Sequence, residues 1–574
     1  MSTKSVWLRA AVGLTVAGLA LAGCAKKENT GTSGGNQGGN NAQPTAGWPE
    51  TAEVKIQPGK PGGTFRQGLT EPTAIDPVNA QESEGINIAQ YIFTGLIKVD
   101  PDGATKEGAA TKWEPNNDCS EWTFTLKAGA KFTNGEEVTS QSFKFAWERE
   151  AAKASASEVA YHMEPIKGFK ELQDGTATTF SGVDASDPGK LKVTLTDPDC
   201  EFYLRTYHTV FAPLPKVAGA GDNKAFNDMP LGNGPFKMAG PWQHDKGIKL
   251  VRNDDYAYGQ KAYLDAVEFT IVPNGNNDEY DGFNNGTFDW ARIPVPALTK
   301  ARSDNEPKSQ WIRKNTNGIN YLLPMLHEKP LDNVKARQAI SLALDRGAVA
   351  EGVFKGSQIP ATSFVPGVFK KAYQAGVCGF CKFDLEQAKK LAQEAGLTPG
   401  TELNMQFNSG GGHEEYMAAY KQQLEKNLGL KVNLTAVQFK DLLNNEQAPH
   451  ATGLYRAAWG ADYATPGNFL APLLSCKATG LDDPSDLSKP VVGDNRARYC
   501  NKQFDDLLNK AKASKSEDER TKLYQQAEKI AIGDDLALIP TFVRTQNRLC
   551  NTAKFINCRM DFNENADISV ISIK

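Results

Sequence analysis

The sequence predicts an α/β protein that is built from more than one lobe. Segments with the two-residue alternation of strands lie between segments with helical spacing, and no short repeat period runs through them. The chain has 574 residues, more than one hydrophobic core usually supports. Its 52 glycines and 31 prolines favour many turns and connections. Together these observations favour mixed α/β lobes over a solenoid, a barrel or a bundle.

Residues 1–23 have the pattern of a lipoprotein signal peptide. Lys4 and Arg9 supply positive charge before the apolar run 10–22. This run is shorter than the roughly 20 residues of a transmembrane helix, so it is typical of a secretion signal. The small residues before Cys24 resemble a bacterial lipobox, which predicts cleavage there and lipidation of Cys24. The alternative is a chance cysteine after an ordinary signal peptide.

Residues 24–61 are predicted to be the lipidated cysteine and a disordered tether. The segment is rich in Gly, Asn, Thr and Gln and has too few large apolar residues to form a core. We therefore expect the folded body to work close to a membrane, on the outer face of the plasma membrane or in the periplasmic space. The lipid would be its only attachment to that membrane.

The composition offers little material for nucleic-acid or metal binding. The net charge is -4, so no overall positive field would attract nucleic acid. The chain has 6 histidines, which leaves few ligands for a multi-histidine metal site. We expect no cofactor, no metal and no nucleic-acid partner.

Eight cysteines remain once Cys24 is set apart from the 9 in the chain, and an even number fits a disulfide framework in an exported protein. Sequence proximity favours two pairs, and the other two would follow, although the spacing leaves other connectivities open: Cys378–Cys381 and Cys550–Cys558, then Cys119–Cys200 and Cys476–Cys500. A C-x-x-C spacing also occurs in redox motifs and half zinc sites. No second C-x-x-C exists, so a structural disulfide is favoured.

The first half of the body is predicted to alternate strands with helices. Thr139 is a candidate N-cap for one of the helices, because its hydroxyl can bond the free N–H groups of the first turn. The predicted strands are 62–68, 122–127, 191–195, 248–252 and 267–273, and the predicted helices are 85–92 and the one that follows Thr139.

The second half is predicted to be richer in helices. Apolar residues recur there at three- and four-residue intervals. The predicted helices are 333–344, 385–395, 414–427, 504–513 and 516–530, and the predicted strands are 432–437 and 538–543.

The segment 455–470 carries the candidate site. Arg456, Trp459, Asp462 and Tyr463 lie close together there, and Pro466 is expected to end any regular element. A carboxylate among large aromatic rings is costly to desolvate unless a cation meets it. That cation is either Arg456, in an internal ion pair, or part of a ligand. The two rings either line a cleft or pack in the core.

Several motifs in a fixed order resemble the bacterial extracellular solute-binding proteins of family 5, the oligopeptide- and dipeptide-binding proteins of ABC importers. The resemblance extends from about residue 62 to the C-terminus. The motifs are E-W-T-F-T-L-K-A-G at 121–129, F-T-N-G at 132–135, G-N-G-P-F at 232–236, R-N-D-D-Y at 252–256 and P-L-D-N-V-K-A-R-Q-A-I-S-L-A-L-D-R at 330–346.

The resemblance implies a two-lobed, hinged periplasmic-binding-protein fold of three domains, of class II and similar to cluster C. The implied hinge lies near Gly318 and Val543, and closure about it would trap the ligand. The implied boundaries are 62–100, 226–318 and 544–574 for domain I, 101–225 for domain II and 319–543 for domain III, the lobe that closes on the ligand.

The resemblance also implies a function and a role for the site residues. The protein would be a monomer that captures peptides and delivers them to the permease of an ABC importer. Asp462 would hold the peptide α-ammonium, and Arg456 would meet either the peptide carboxylate or an internal partner. Trp459 and Tyr463 would border the ligand. Gly460 stands where the best-known oligopeptide binders have a cysteine, so their local disulfide is missing here.

Two other functions are weighed against peptide capture. The same scaffold can carry a nickel complex, a sugar or another small solute, and the fold alone does not choose among them. A secreted hydrolase is a more remote alternative. The sequence contains no G-x-S-x-G and no H-E-x-x-H motif. We therefore expect a binding protein and no enzymatic activity.

Overall fold

The computed structural model describes residues 48–409 and 412–574. The predicted signal peptide, Cys24 and the tether up to residue 47 lie outside the described residues. Within the described part of the chain, no helix combines the length and the apolar composition that crossing a bilayer requires.

The strands are short, apart from two that exceed ten residues. In chain order they are β1 (Thr64–Leu69), β2 (Ile97–Val99), β3 (Thr105–Glu107), β4 (Ala110–Pro115), β5 (Glu121–Leu126), β6 (Val183–Asp184), β7 (Lys190–Thr194), β8 (Phe236–Met238), β9 (Gly247–Arg252), β10 (Ala266–Ile271), β11 (Trp290–Arg292), β12 (Trp311–Pro324), β13 (Ile359–Pro360), β14 (Glu402–Asn408), β15 (Lys431–Val437), β16 (Leu454–Gly460), β17 (Ile539–Cys550), β18 (Phe555–Ile556) and β19 (Ser572–Ile573).

The helices flank these strands. In chain order they are α1 (Ser83–Ile92), α2 (Ser140–Ala151), α3 (Phe169–Asp174), α4 (Phe202–Arg205), α5 (Lys224–Asp228), α6 (Asn276–Asn284), α7 (Leu298–Asn305), α8 (Val334–Leu342), α9 (Arg346–Gly352), α10 (Leu385–Glu394), α11 (Glu414–Leu428), α12 (Phe439–Gln447), α13 (Gly467–Leu474), α14 (Lys502–Ala513) and α15 (Glu517–Glu528).

Local sequence explains many of these elements. In β5 the side chains of Trp122, Phe124 and Leu126 are buried while the residues between them are partly exposed, as the two-residue alternation predicts. Helix α2 follows Thr139, whose N–H donates to the side chain of Ser142 at 3.1 Å. Hydrogen bonds between side chains and backbone at the start of a helix satisfy N–H groups that have no partner within the helix.

One large mixed sheet runs through the protein in the order β15-β14-β16-β12-β17-β11-β1-β10-β9-β8, with β13 added beside β17. A smaller antiparallel sheet has the order β4-β5-β7-β6 and lies within the predicted domain II. Strands and helices therefore alternate in mixed sheets, and the predicted α/β class is confirmed.

Two large hydrophobic cores meet on β12 and β17. One core draws on residues between 65 and 312 and between 550 and 571. The other draws on residues between 319 and 543, together with Phe562. On both strands the change from one core to the other occurs close to the hinge positions that the sequence predicts.

The pairing of β12 with β17 is irregular between the two cores. Asn315 lies opposite Thr545 and Ile319 lies opposite Val543, so β12 has more residues than β17 in this interval. An extra stretch of this kind interrupts the ladder and bends the strand. The irregular interval includes Gly318. The domain boundaries themselves remain a prediction.

Four disulfides join eight cysteines, in the two pairs that sequence proximity favoured and the two pairs that were expected to follow. Each has a sulfur–sulfur distance near 2 Å. The pairs are Cys119–Cys200, Cys378–Cys381, Cys476–Cys500 and Cys550–Cys558.

Two local expectations are wrong. Pro466 does not end a regular element: β16 ends earlier, at Gly460, and Pro466 caps the start of α13. Proline suits this position because the first N–H groups of a helix have no partner within it. The last predicted strand, 538–543, continues as β17 to Cys550.

Candidate ligand-binding site

The candidate site lies at the end of β16, beside the irregular part of β12. Gly460 is the last residue of β16 and pairs with Gly318. The N–H of Ala461 then donates to the carbonyl of Asn317 at 3.0 Å. Asp462 follows directly, so the strand pairing places it where the two cores meet.

One edge of β16 is open next to Asp462. The strand pairs with β12 along its whole length, but it pairs with β14 only at Leu454 and Tyr455. From Arg456 to Gly460 the second edge has no strand partner among residues 48–409 and 412–574. Such an edge presents N–H and C=O groups that an extended chain can bind.

Asp462 is held by an amide and not by a cation. Its N–H donates to Oδ1 of Asn468 at 2.8 Å, and Nδ2 of Asn468 donates to Oδ2 of Asp462 at 3.1 Å. Asn468 lies in α13 and is buried, so the helix fixes this side chain. No Lys, Arg or His nitrogen of the described chain lies within 4.0 Å of the Asp462 carboxylate.

Burial raises the pKa of Asp462 to about 6, because the surrounding protein disfavours the charged carboxylate. The hydrogen bond from Asn468 acts in the opposite direction, and the charge of Asp494 raises the pKa further. The positive charge of Arg205 lowers it from beyond ion-pair distance. Asp462 is therefore a carboxylate whose charge the protein does not fully compensate.

Asp462 lines a cavity of about 240 Å³. The walls come from distant parts of the chain: residues in and just before α1, the segment after α4, single residues of β12, β16 and β17, and the C-terminal segment. The lining residues are Gln81, Ser83, Ile86, Gln90, Tyr207, His208, Asn317, Gly460, Ala461, Asp462, Arg544, Asn563, Glu564 and Asn565.

Arg456 does not pair with Asp462. It lies within β16 opposite Leu322 and is not among the residues that line the Asp462 cavity. Its guanidinium lies close enough to Tyr416 and His413 for its positive charge to lower the pKa of both groups, against burial in the case of Tyr416. Its buried Nε has no hydrogen-bond partner among the described residues. The internal ion pair that the sequence left open is therefore absent.

Trp459 and Tyr463 do not line the Asp462 cavity. The indole Nε1 of Trp459 donates to the carbonyl of Asn468 at 2.8 Å, and its ring packs against the second core. Tyr463 is buried, and the guanidinium of Arg205 lies over its ring at 5.0 Å from the centroid. Both rings help to fix the segment that carries Asp462.

Sequence reasoning missed two residues that set the state of Asp462. Asn468 could have been found, because an amide soon after a helix-starting proline is well placed to bond backwards along the chain. Arg205 carried no such signal. It lies in a different part of the sequence, and only the fold brings its charge near the site.

A buried clasp joins the predicted domains II and III near the site. Glu201, beside the start of α4, accepts a hydrogen bond from the hydroxyl of Thr465 at 2.8 Å. It also accepts from the hydroxyl of Tyr524, and Nε of Arg520 lies 3.4 Å from its carboxylate. Glu201 is 8% exposed, and burial raises its pKa. These contacts hold the two regions together in this structure.

The sequence of this chain is similar to those of a known protein family. The sequence model described as "Bacterial extracellular solute-binding proteins, family 5 Middle" matches residues 104–480. The oligopeptide-binding protein OppA of Bacillus subtilis is 30% identical over 500 residues, which span 83% of this chain and 86% of that protein. Heme-binding protein A of Haemophilus influenzae is 26% identical over 489 residues, which span 80% of this chain and 83% of that protein.

Solved structures agree with the sequence comparisons. The structure of the Escherichia coli murein tripeptide binding protein MppA is 25% identical and superposes with a TM-score of 0.71, covering 90% of this chain and 99% of that one. The predicted class II fold of several domains is therefore confirmed. Because the family match spans well over half of the chain, this protein belongs to the bacterial extracellular solute-binding proteins of family 5.

Proposed function

We propose that this protein is the peptide receptor of an ABC importer and that Asp462 binds the peptide α-ammonium. The observation that carries the proposal is the state of Asp462. This carboxylate lines a cavity, is largely shielded from water and has no cation within ion-pair distance among the described residues. A peptide α-ammonium would supply the missing charge through charge-assisted hydrogen bonds.

The open edge of β16 supports a peptide over a compact solute. The backbone of an extended peptide can pair with the groups of residues 456–460 that no strand occupies. Backbone pairing carries no preference for particular side chains, which suits a receptor for many peptides. Arg456 is proposed to meet the carboxylate end of short peptides, while Trp459 and Tyr463, which were expected to border the ligand, instead hold in place the segment that carries Asp462.

The rest of the proposed function concerns the transport cycle. The two lobes close about the irregular part of the β12–β17 pairing and trap the peptide. The closed monomer then delivers the peptide to the permease. The lipid on Cys24 keeps the receptor beside that permease. The ligand names of the peptide-binding relatives support this proposal.

Isothermal titration calorimetry of the purified full-length protein in detergent tests the role of Asp462. We expect Asp462→Asn to weaken the binding of a small alanine-rich peptide by about 2–5 kcal/mol, because a shielded ion pair is lost. Acetylation of the peptide N-terminus should weaken binding to the wild-type protein by a similar amount. In Asp462→Asn, acetylation should cost little more. Equal affinity of the two proteins for the free peptide would refute the ammonium role.

Membrane fractionation tests the lipid anchor. Replacement of Cys24 by Ser removes the acceptor of the lipid, so we expect the variant to leave the membrane fraction while the folded body still binds peptide. Retention of Cys24→Ser in the membrane fraction would contradict the anchor.

A non-peptide solute is the second candidate, because one relative is named for heme. Native mass spectrometry of the purified protein distinguishes the two candidates, since a trapped ligand adds its mass to that of the chain. A heterogeneous set of added masses that correspond to short peptides is expected. A single added mass that fits no peptide would favour the second candidate.

A further inference from the structure

A second cavity, larger than that of Asp462, adjoins it. Its volume is about 340 Å³, and Gln90, Tyr207 and His208 line both spaces. Its other walls come from the end of α1, the residues that follow it and the C-terminal segment 559–570. A ligand anchored at Asp462 can therefore extend a side chain into this second cavity.

Aromatic rings form much of the wall of the second cavity. Tyr91, Phe93, Tyr207, His208 and Tyr256 all line it. Such rings pack on the methylene groups of long side chains and attract cations to their faces. Burial lowers the pKa of His208 to about 4, so this ring brings no positive charge to the wall near neutral pH.

Asp561 is the acid in this wall that lacks a positive partner. Its carboxylate accepts a hydrogen bond from the N–H of Asn565 at 2.9 Å, which fixes it within a turn. Two other acids of the lining are neutralised by ion pairs, Asp100 with Lys106 at 3.2 Å and Asp567 with Arg559 at 2.7 Å. No cation lies within 4.0 Å of the Asp561 carboxylate in the part of the chain that the structure describes.

Asp561 shares with Asp462 the absence of a cation within ion-pair distance among the described residues. Burial and the nearby charge of Asp567 raise the pKa of Asp561 well above its ordinary value. The residues that follow it, Asn563 to Asn565, line the Asp462 cavity. Two uncompensated carboxylates therefore stand in adjoining spaces.

A second polar group in the same wall also lacks a partner. The hydroxyl of Thr209, a residue that is only 5% exposed, makes no hydrogen bond within the described residues. A buried hydroxyl without a partner costs free energy that a ligand donor can recover. Lys98, the remaining charged group of the lining without an ion pair, donates to the carbonyl of Tyr258 at 2.6 Å and is therefore already engaged.

We propose that the second cavity binds the cationic side chain of an arginine or lysine in the bound peptide, with Asp561 as its counter-ion. The aromatic walls enclose the methylene stem, and the Thr209 hydroxyl accepts a hydrogen bond from the cationic head. This inference rests on the proposed function and names the peptides that the site prefers: those with one basic residue close to a free N-terminus.

Calorimetry with a peptide series tests the inference. Arginine is placed in turn at each position of an alanine tetrapeptide and compared with citrulline, which has nearly the same shape and no charge. At one position we expect arginine to bind 10- to 100-fold more tightly than citrulline in the full-length protein. Lysine against acetyllysine at that position shows whether an ammonium group is also accepted.

Asp561→Asn should remove this preference, because the amide keeps the shape of the carboxylate without its charge. The variant should bind the all-alanine peptide as the wild-type protein does, which also shows that it folds. Asp100→Asn is the matched control, since Asp100 lines the same cavity but already has Lys106 as its partner. This control should retain the preference for arginine.

Equal affinity for arginine and citrulline at every position would overturn the inference, as would a preference that persists in Asp561→Asn. In both cases, binding of the all-alanine peptide would leave the proposed function intact. If none of the peptides binds to the wild-type protein, the proposed function fails and this inference fails with it.

Discussion

At the scale of single residues, the site depends on a carboxylate that the fold leaves without a cation. Asn468 fixes the position of Asp462 through two hydrogen bonds but brings no charge to it. Keeping a charged group shielded in this way costs free energy in the empty protein. A ligand that brings the missing charge removes that cost. The strain of the ligand-free site therefore adds to the free energy of binding.

This cost predicts how stability depends on pH. The pKa of Asp462 is about 6 in the folded protein and about 3.9 for an aspartate in the unfolded chain. Between these values the folded state holds the extra proton, so stability falls as the pH rises from about 4 to 6. The full penalty is then present above pH 6.

Asp462→Asn removes this penalty. At pH 7.5 we expect the ligand-free variant to gain about 2 kcal/mol in free energy of unfolding over the wild-type protein, a figure reduced for partial contact of the side chain with water. At pH 4 the gain should be much smaller, because Asp462 of the folded wild-type protein is then protonated and as neutral as the asparagine of the variant. Urea unfolding at the two pH values measures the difference, and a gain that does not change with pH would count against the raised pKa.

At the scale of elements, the site is organised by β12 and β17, the two paired strands that run from one hydrophobic core to the other. The last strand was predicted to span 538–543, and the residues that follow it are mostly polar. In the fold, β17 continues to Cys550 because it pairs with β12 from Thr545 to Leu549 and with β11 from Arg548 to Cys550. Strand neighbours therefore override the polar composition, as is common for central strands.

Gly318, where β12 pairs with the end of β16, leaves little room for a side chain. A Cβ added there would lie 2.7 Å from Cδ of Arg544 and 3.1 Å from the carbonyl oxygen of Trp459. The arginine can move, but the carbonyl belongs to β16. We expect Gly318→Ala to lower the free energy of unfolding by about 1–3 kcal/mol through this overpacking.

Gly352→Ala is the matched control, because a Cβ at this helical glycine would meet no atom within 4 Å. Helix propensity predicts that this variant is unchanged or more stable by up to about 1 kcal/mol. Urea unfolding of the two variants side by side provides the comparison. If the Gly318→Ala protein is as stable as the Gly352→Ala protein, the region where β12 pairs with β16 and β17 is not tightly packed.

At the scale of the whole molecule, the predicted lobes touch through contacts of different strength. The Glu201 clasp with Thr465 and Tyr524 is buried. The ion pair between Lys477 and Glu164, at 2.9 Å, also joins the two regions, but its side chains are 75% and 53% exposed. Exposed pairs contribute little, whereas a buried charged group that loses its partners is costly.

Glu201→Gln should therefore favour the open arrangement. We expect peptide affinity to fall about 10-fold, which corresponds to about 1.4 kcal/mol of closure free energy. Small-angle X-ray scattering should show a larger radius of gyration for the variant at peptide concentrations that close the wild-type protein. Lys477→Met is the control and should change affinity less than about 2-fold. Equal effects of the two substitutions would contradict the role of the clasp.

The sequence by itself determined the features that depend on near neighbours. Alternating apolar residues predict β5, and apolar residues at helical spacing predict α8, because both patterns rest on local backbone geometry. The α/β class and the two short-range disulfides follow from the same kind of information. Asp462 could be singled out because it stands among aromatic residues close to it in the chain.

Only the tertiary structure decided how Asp462 is partnered. Arg456 is nearby in sequence but contacts Tyr416, while Asn468 and the distant Arg205 set the pKa of Asp462. Asp561, too, stands out only once the C-terminal segment lies against the aromatic wall. The physical reason is that burial and charge compensation depend on which surfaces meet, and strand pairing and hinge geometry determine that across the whole chain.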